Sequence, residues 1–121
     1  MLPEVISQIP GPRSLLLGES LERYESRNVT FISDEFPIFW DKAEGSNVWD
    51  VDGNRFIDLT SAFAVSSLGH RNPRLINALT EQANKLLHGM GDVHPTELKV
   101  ELCKKISEIT FERWTGEIGK S

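Results

Sequence analysis

Apolar and polar positions recur with two different periods along this chain. Near the start, Leu17, Leu21 and Tyr24 repeat at three- to four-residue spacing, and Glu22, Glu25 and Arg27 fall on the other side. That pattern predicts a helix over about residues 15–27, with Ser14 as its N-cap. Gly18 inside it costs about 1 kcal/mol of helix propensity. The preceding residues, 1–13, hold three prolines and read as an extended arm. From residue 29 to 59 the period falls to two. Phe36, Ile38 and Trp40 share one face of a strand. In "NVWDVDGNRFIDL", Val48–Val51 and Arg55–Leu59 flank Asp52-Gly53-Asn54, whose residues supply the positive φ of a hairpin turn. Three short antiparallel strands are expected.

The helical period then returns. Asn72 is a good N-cap, and Pro73 suits the first helical position, where an amide proton has no partner in any case. Leu75, Ile76, Leu79, Ala83, Leu86 and Leu87 make an apolar stripe to about His88. "GMGD" interrupts it. Pro95 is expected to open a second helix, with Leu98, Leu102, Ile106 and Ile109 at helical spacing. The fold class is therefore α+β: an N-terminal helix, a small three-stranded antiparallel sheet, then two helices.

Composition changes this picture little. Of 121 residues, 39% are hydrophobic and 26% charged, which suits a globular domain. The net charge of −5 argues against a nucleic-acid partner. No apolar run approaches the roughly 20 residues that span a bilayer, and the N-terminus lacks the pattern of a signal peptide. The single cysteine, Cys103, excludes an internal disulfide and fits a reducing, cytoplasmic setting.

Most candidate chemistry fails on spacing. Counted from Asp50, Gly53 comes fourth and Ser61 twelfth, whereas a calcium loop needs glycine sixth and glutamate twelfth. "GEIGKS" has two residues between its glycines where a phosphate-binding loop needs four. His70, His88 and His94 match no zinc pattern, and no Gly-x-Ser-x-Gly elbow exposes a nucleophile. His70 and His94 read instead as anchors for neighbouring backbone. What remains is loop 60–69, where Ser61, Ala62, Ala64, Ser66, Ser67 and Gly69 surround Phe63. Two readings stand: a loop packed close beneath a helix, or the wall of a pocket.

The run "FPIFWDKAEGSNVWDVDGNRFIDLTSAFAVSSLGHRNPRLINALTEQANKLLHG" closely resembles the N-terminal region of class III (omega-type) aminotransferases. The likeness extends over roughly residues 11–110. It implies a part of a fold type I, pyridoxal 5′-phosphate enzyme that moves an amino group from an amine or amino acid to a 2-oxo acid. In that frame residues 14–70 begin the small domain, and 71–121 are helices leading to a large domain. The family's phosphate motif, its aspartate and its Schiff-base lysine come later than these residues reach. The resemblance thus places no catalytic and no cofactor-binding residue here, and implies an inactive segment of an enzyme that is a homodimer when complete. It does place loop 60–69 at the substrate entrance, with Phe63, seven residues before His70, as the selecting side chain and Ala64 and Val65 beside it. The competing reading has Phe63 packed under the helix that Asn72 opens. A stand-alone interaction or dimerisation module derived from the family is the alternative to an enzyme segment. Either way, Trp40, Trp49, Leu75 and Leu79 are expected to lack full cover within 121 residues.

Overall fold

The computed structural model describes residues 1–26 and 38–120. The chain divides into two compact units, Met1–Asn77 and Ala78–Ser121.

The first unit is built on a three-stranded antiparallel sheet, β1 (Trp40–Glu44), β2 (Asn47–Asp50) and β3 (Arg55–Ile57), in the order β1-β2-β3. Val48 sits opposite Ala43 on one side and Phe56 on the other. Of the expected alternation Phe36, Ile38 and Trp40, the described strand contains Trp40, its first residue. Phe36 lies outside the described residues, and Trp40 runs forward into a strand whose register shifts before Lys42. The β1–β2 connection is the two-residue Gly45-Ser46, with Gly45 at φ 58. Glycine first is the order that a type II′ hairpin turn requires.

Among the described residues Val48 is the one buried apolar side chain, at 2% exposure. The rest of this unit's interior is polar, and it centres on the β2–β3 turn. Asp50 Oδ1 accepts from the amides of Asp52 (3.0 Å) and Asn54 (2.8 Å), and Gly53 meets the turn's positive φ at 88°. Asn54, fully buried, donates to Asp50 Oδ2 and Ser7 Oγ and accepts from the amides of Ile6 and Ser7. A buried amide with each of its groups paired fixes what it touches, and here it fixes the N-terminal arm. One residue further along, Glu4 and Arg55 exchange backbone hydrogen bonds and pair their side chains at 3.0 Å.

The turn also determines where the first helix, α1 (Pro12–Tyr24), begins. Ser14 is not its cap. The N-cap is Gly11, which offers no side chain, and Asp52, 38 residues beyond Ser14, takes over its role. The Asp52 carboxylate accepts from the amides of Arg13 (2.7 Å) and Ser14 (2.9 Å) and from the Ser14 hydroxyl (2.6 Å). These are donors that a helix start otherwise leaves unpaired. Glycine at position 11 permits the approach, because a Cβ there would lie 2.2 Å from Asp52 Cγ. Partial desolvation pushes the Asp52 carboxyl up, but the Ser14 hydroxyl, the two amides and the Arg13 charge together hold it below its ordinary value.

The next helix, α2 (Pro73–Lys85), starts as expected: Asn72 Oδ1 accepts from the Arg74 amide at 3.0 Å. It ends three residues short of His88, where the Gln82 side chain takes the Leu86 carbonyl at 2.9 Å. Leu75 and Leu79 remain exposed, as does Trp40, while Trp49 is half-buried.

In the second unit, α3 (Glu97–Ile109) is followed by the short α4 (Phe111–Thr115). Pro95 does not open α3. Thr96 caps it by accepting from the Lys99 amide, and Glu97 lies in the first turn, where negative charge is favoured. The buried Ser107 hydroxyl donates to Glu112 and accepts from the Gly119 amide, folding the tail back onto the helices. None of the helices is long and apolar enough to cross a membrane, among the described residues.

Candidate functional site

Phe63, Ala64 and Val65 all lie on one connection between β3 and α2, and that connection has an unusual backbone. Ser61, Ala62, Phe63 and Ala64 occupy the left-handed region in succession, at φ 52°, 49°, 56° and 67°. Together they form a single left-handed turn. It is closed by the Ala64 amide to the Thr60 carbonyl at 3.0 Å and the Ser66 amide to the Ser61 carbonyl at 2.9 Å. An L-residue in this conformation brings its Cβ against the following carbonyl, at about 1–2 kcal/mol each. None of the four is β-branched, which keeps that crowding near its minimum.

Something must hold the turn, and Asp58 does so. Its Oδ1 accepts from the Thr60 amide (2.9 Å) and hydroxyl (2.8 Å). Its Oδ2 accepts from the Ala62 amide (2.9 Å) and pairs with His70 Nε2 at 2.7 Å. The Asp58 side chain is only 2% exposed. The His70 and Thr60 side-chain bonds, with the Thr60 and Ala62 amides, outweigh desolvation and bring its pKa down to about 2. His70 is fixed in turn. Its backbone exchanges two hydrogen bonds with Gly45, at 2.8 and 2.9 Å, and its ring meets Trp40 edge-on at 5.8 Å. Gly69, just before His70, has φ 85, a conformation that glycine adopts without strain.

What the clamp presents is apolar and outward. Phe63 is 95% exposed and Val65 85%, with Ala64 between them also exposed. Phe63 does not pack beneath α2. The histidine anchors resolve differently from expectation in one respect: the His70 backbone ties down its neighbours, but its ring belongs to Asp58. His94 makes a backbone bridge to Met90. Sequence reasoning missed Asp58 altogether. Its partner lies twelve residues away, and no local pattern links them. Among the described residues no group of three His, Cys, Asp or Glu side chains could hold a metal ion.

The profile of the class III aminotransferases matches residues 29–117. The acetylornithine aminotransferase of Vibrio vulnificus (strain YJ016) is 47% identical over 70 residues, covering 58% of this chain and 17% of that protein. The acetylornithine aminotransferase of Elizabethkingia anophelis superposes with a TM-score of 0.66 at 31% identity, over 79% of this chain and 24% of that one. The taurine:2-oxoglutarate aminotransferase of Bifidobacterium kashiwanohense, solved in complex with pyridoxal phosphate and glutamate, gives 0.65 at 25% identity, over 88% and 22%. A helix, a small antiparallel sheet and further helices in this order are thus a piece of the aminotransferase fold. The chain belongs to the class III aminotransferase family, whose cofactor is pyridoxal phosphate. It spans about a fifth of the length of these relatives.

Among the described residues no lysine has the setting that a Schiff base to that cofactor asks for. A lysine that forms a Schiff base is desolvated or set beside another cation, so that its amine is neutral. All six lysines of this chain are exposed. Lys42 lies over the Trp49 ring, Lys99 pairs with Asp92, and Lys104 and Lys105 pair with Glu108.

Proposed function

We propose that residues 58–70 form part of the substrate entrance of a pyridoxal-phosphate transaminase, with Phe63 selecting the substrate side chain and Ala64 and Val65 lining its approach. The enzyme transfers an amino group between an amine or amino acid and a 2-oxo acid, acts as a homodimer and is cytoplasmic. Residues 1–121 alone carry out no transamination. The observation that carries this reading is Phe63 itself: almost wholly exposed, at the tip of a turn that a buried carboxylate holds in a strained conformation. Strain of this kind is concentrated where a protein needs a side chain in one place. An aromatic face there narrows the approach and meets apolar substrate chains.

The test is Phe63→Ala in the transaminase that carries this segment. The ratio of kcat/KM for a bulky donor to that for a small one should rise by roughly tenfold, the scale on which apolar pockets discriminate. An unchanged ratio would remove Phe63 from the entrance. Covalent capture of pyridoxal phosphate by residues 1–121 alone would overturn the claim that the segment lacks the cofactor lysine. A stand-alone interaction module is disfavoured by the interior, in which Val48 is the one buried apolar side chain among the described residues.

A further inference from the structure

The clamp raises a question that the entrance residue alone does not answer: what keeps an exposed aromatic on a strained turn from moving among several positions. Four donors converge on one buried carboxylate, two from Thr60, one from Ala62 and one from the His70 ring. The first three come from the leading side of the turn. The fourth comes from beyond its trailing side, from a residue whose own backbone is paired with the β1–β2 hairpin at Gly45. Asp58 therefore ties both ends of the turn to the sheet, and neither Asp58 nor His70 presents itself outward. Their side chains are 2% and 13% exposed. The three outward side chains, Phe63, Ala64 and Val65, make no side-chain hydrogen bonds and have no anchor of their own. Without the clamp the left-handed run would relax, because each of its residues gains by leaving that region.

We propose that Asp58 and His70 are positioning residues for substrate selection: by holding residues 60–64 in the left-handed turn they fix where Phe63 stands, and so set which donor side chains pass. This rests on the reading of Phe63 as an entrance residue. Neither residue need touch substrate. The His70 ring N–H is the replaceable part, since a glutamine amide can reach the same carboxylate, while an apolar side chain cannot.

The experiment compares Phe63→Ala, Asp58→Asn, His70→Leu and His70→Gln in the complete transaminase carrying this segment. Three quantities are measured: the bulky-to-small donor ratio in kcat/KM, backbone hydrogen exchange across residues 59–70, and the thermal midpoint. His70→Leu should shift the donor ratio towards that of Phe63→Ala and speed exchange in 59–70 by about tenfold or more, as a locally opened segment does, with exchange in β2 unchanged. His70→Gln should restore both. Asp58→Asn should act like His70→Leu; if it fails to fold, the two His70 variants carry the test. Equal effects of leucine and glutamine, or shifts that merely follow the thermal midpoint, would overturn the positioning role. So would an altered ratio in Phe63→Ala with none in His70→Leu, and that outcome leaves the entrance reading standing. No change in Phe63→Ala would sink the entrance reading and this inference with it.

Discussion

Two turns in the first unit are built around aspartates, and they use the same chemistry to opposite ends. In the turn after β2, Asp50 and Asp52 accept amide and hydroxyl hydrogen bonds, Asn54 adds its own, and the partners are the arm and the start of α1. Where that turn needs positive φ it has Gly53, which adopts it without strain. In the turn after β3, Asp58 likewise gathers amides, a hydroxyl and a ring nitrogen. Yet its four positive-φ residues are Ser, Ala, Phe and Ala. The first turn spends its hydrogen bonds joining pieces of the fold and points nothing outward. The second holds a conformation that its residues would otherwise leave, and points an aromatic into solvent. A turn that uses glycine is free to be structural; one that forces side chains into the left-handed region is placing those side chains.

The largest effect should come from breaking the first turn. Asn54→Ala leaves the Ile6 and Ser7 amides and one Asp50 oxygen without partners. The Asp50 oxygen is buried, and an orphaned buried group costs about 1–3 kcal/mol, so urea denaturation should show a loss on that scale, and the arm, released from its two amide bonds, should become open to proteolysis. Donor selectivity should not move. A change in selectivity as large as that in Phe63→Ala would mean that the two turns are not separate devices.

Acid separates the turns in a second way. The Asp58 carboxyl titrates near 2 in the folded chain, against an ordinary 3.8. A carboxyl whose folded value is depressed stabilises the fold fully above the ordinary value, and the contribution disappears as pH falls through the folded one. The turn after β3 should thus stay closed to about pH 4 and open towards pH 2, read by hydrogen exchange in residues 59–70. Asp58→Asn should flatten that acid limb and leave the limb due to Asp52 in place. A wild-type opening complete above about pH 4 would contradict the four-donor clamp.

What the sequence made legible follows from the range of the interactions. The Asn72-Pro73 start of α2 and the Asp52-Gly53-Asn54 turn were readable because cap and turn chemistry act over two to four residues. The start of α1 was not, because its capping carboxylate comes from Asp52, and Ser14 then serves as donor to that carboxylate rather than as cap. The Gly45-Ser46 connection lies within that same range, with glycine in the first position. Phe63, Ala64 and Val65 were singled out from resemblance and from the small residues around them. The left-handed backbone of residues 61–64 carried no signal, since glycine is the usual mark of positive φ and the run contains none. Asp58 was within reach of turn chemistry through Thr60 and Ala62, two and four residues on, but its bond to His70, twelve residues away, carries no local signal. Its importance lies in the convergence of four donors, and convergence is a property of the folded chain.

The smallest predicted effect tests the comparison most directly, because it has a sign. Ala62, at φ 49, is strained by about 1–2 kcal/mol. Glycine at that position removes the strain but adds about 0.5–1 kcal/mol of unfolded-state entropy. Ala62→Gly should therefore leave stability unchanged or raise it by up to about 1.5 kcal/mol. Gly53→Ala should do the reverse. Its φ of 88 admits no side chain without strain, and its Cβ would meet the Ile6 side chain at 3.0 Å. Thermal midpoints of the two variants decide the matter. Opposite signs would establish that one turn is relaxed and the other held under tension. If both variants lost stability alike, the left-handed run would be comfortable where it is, and Asp58 would be holding nothing that needed to be held.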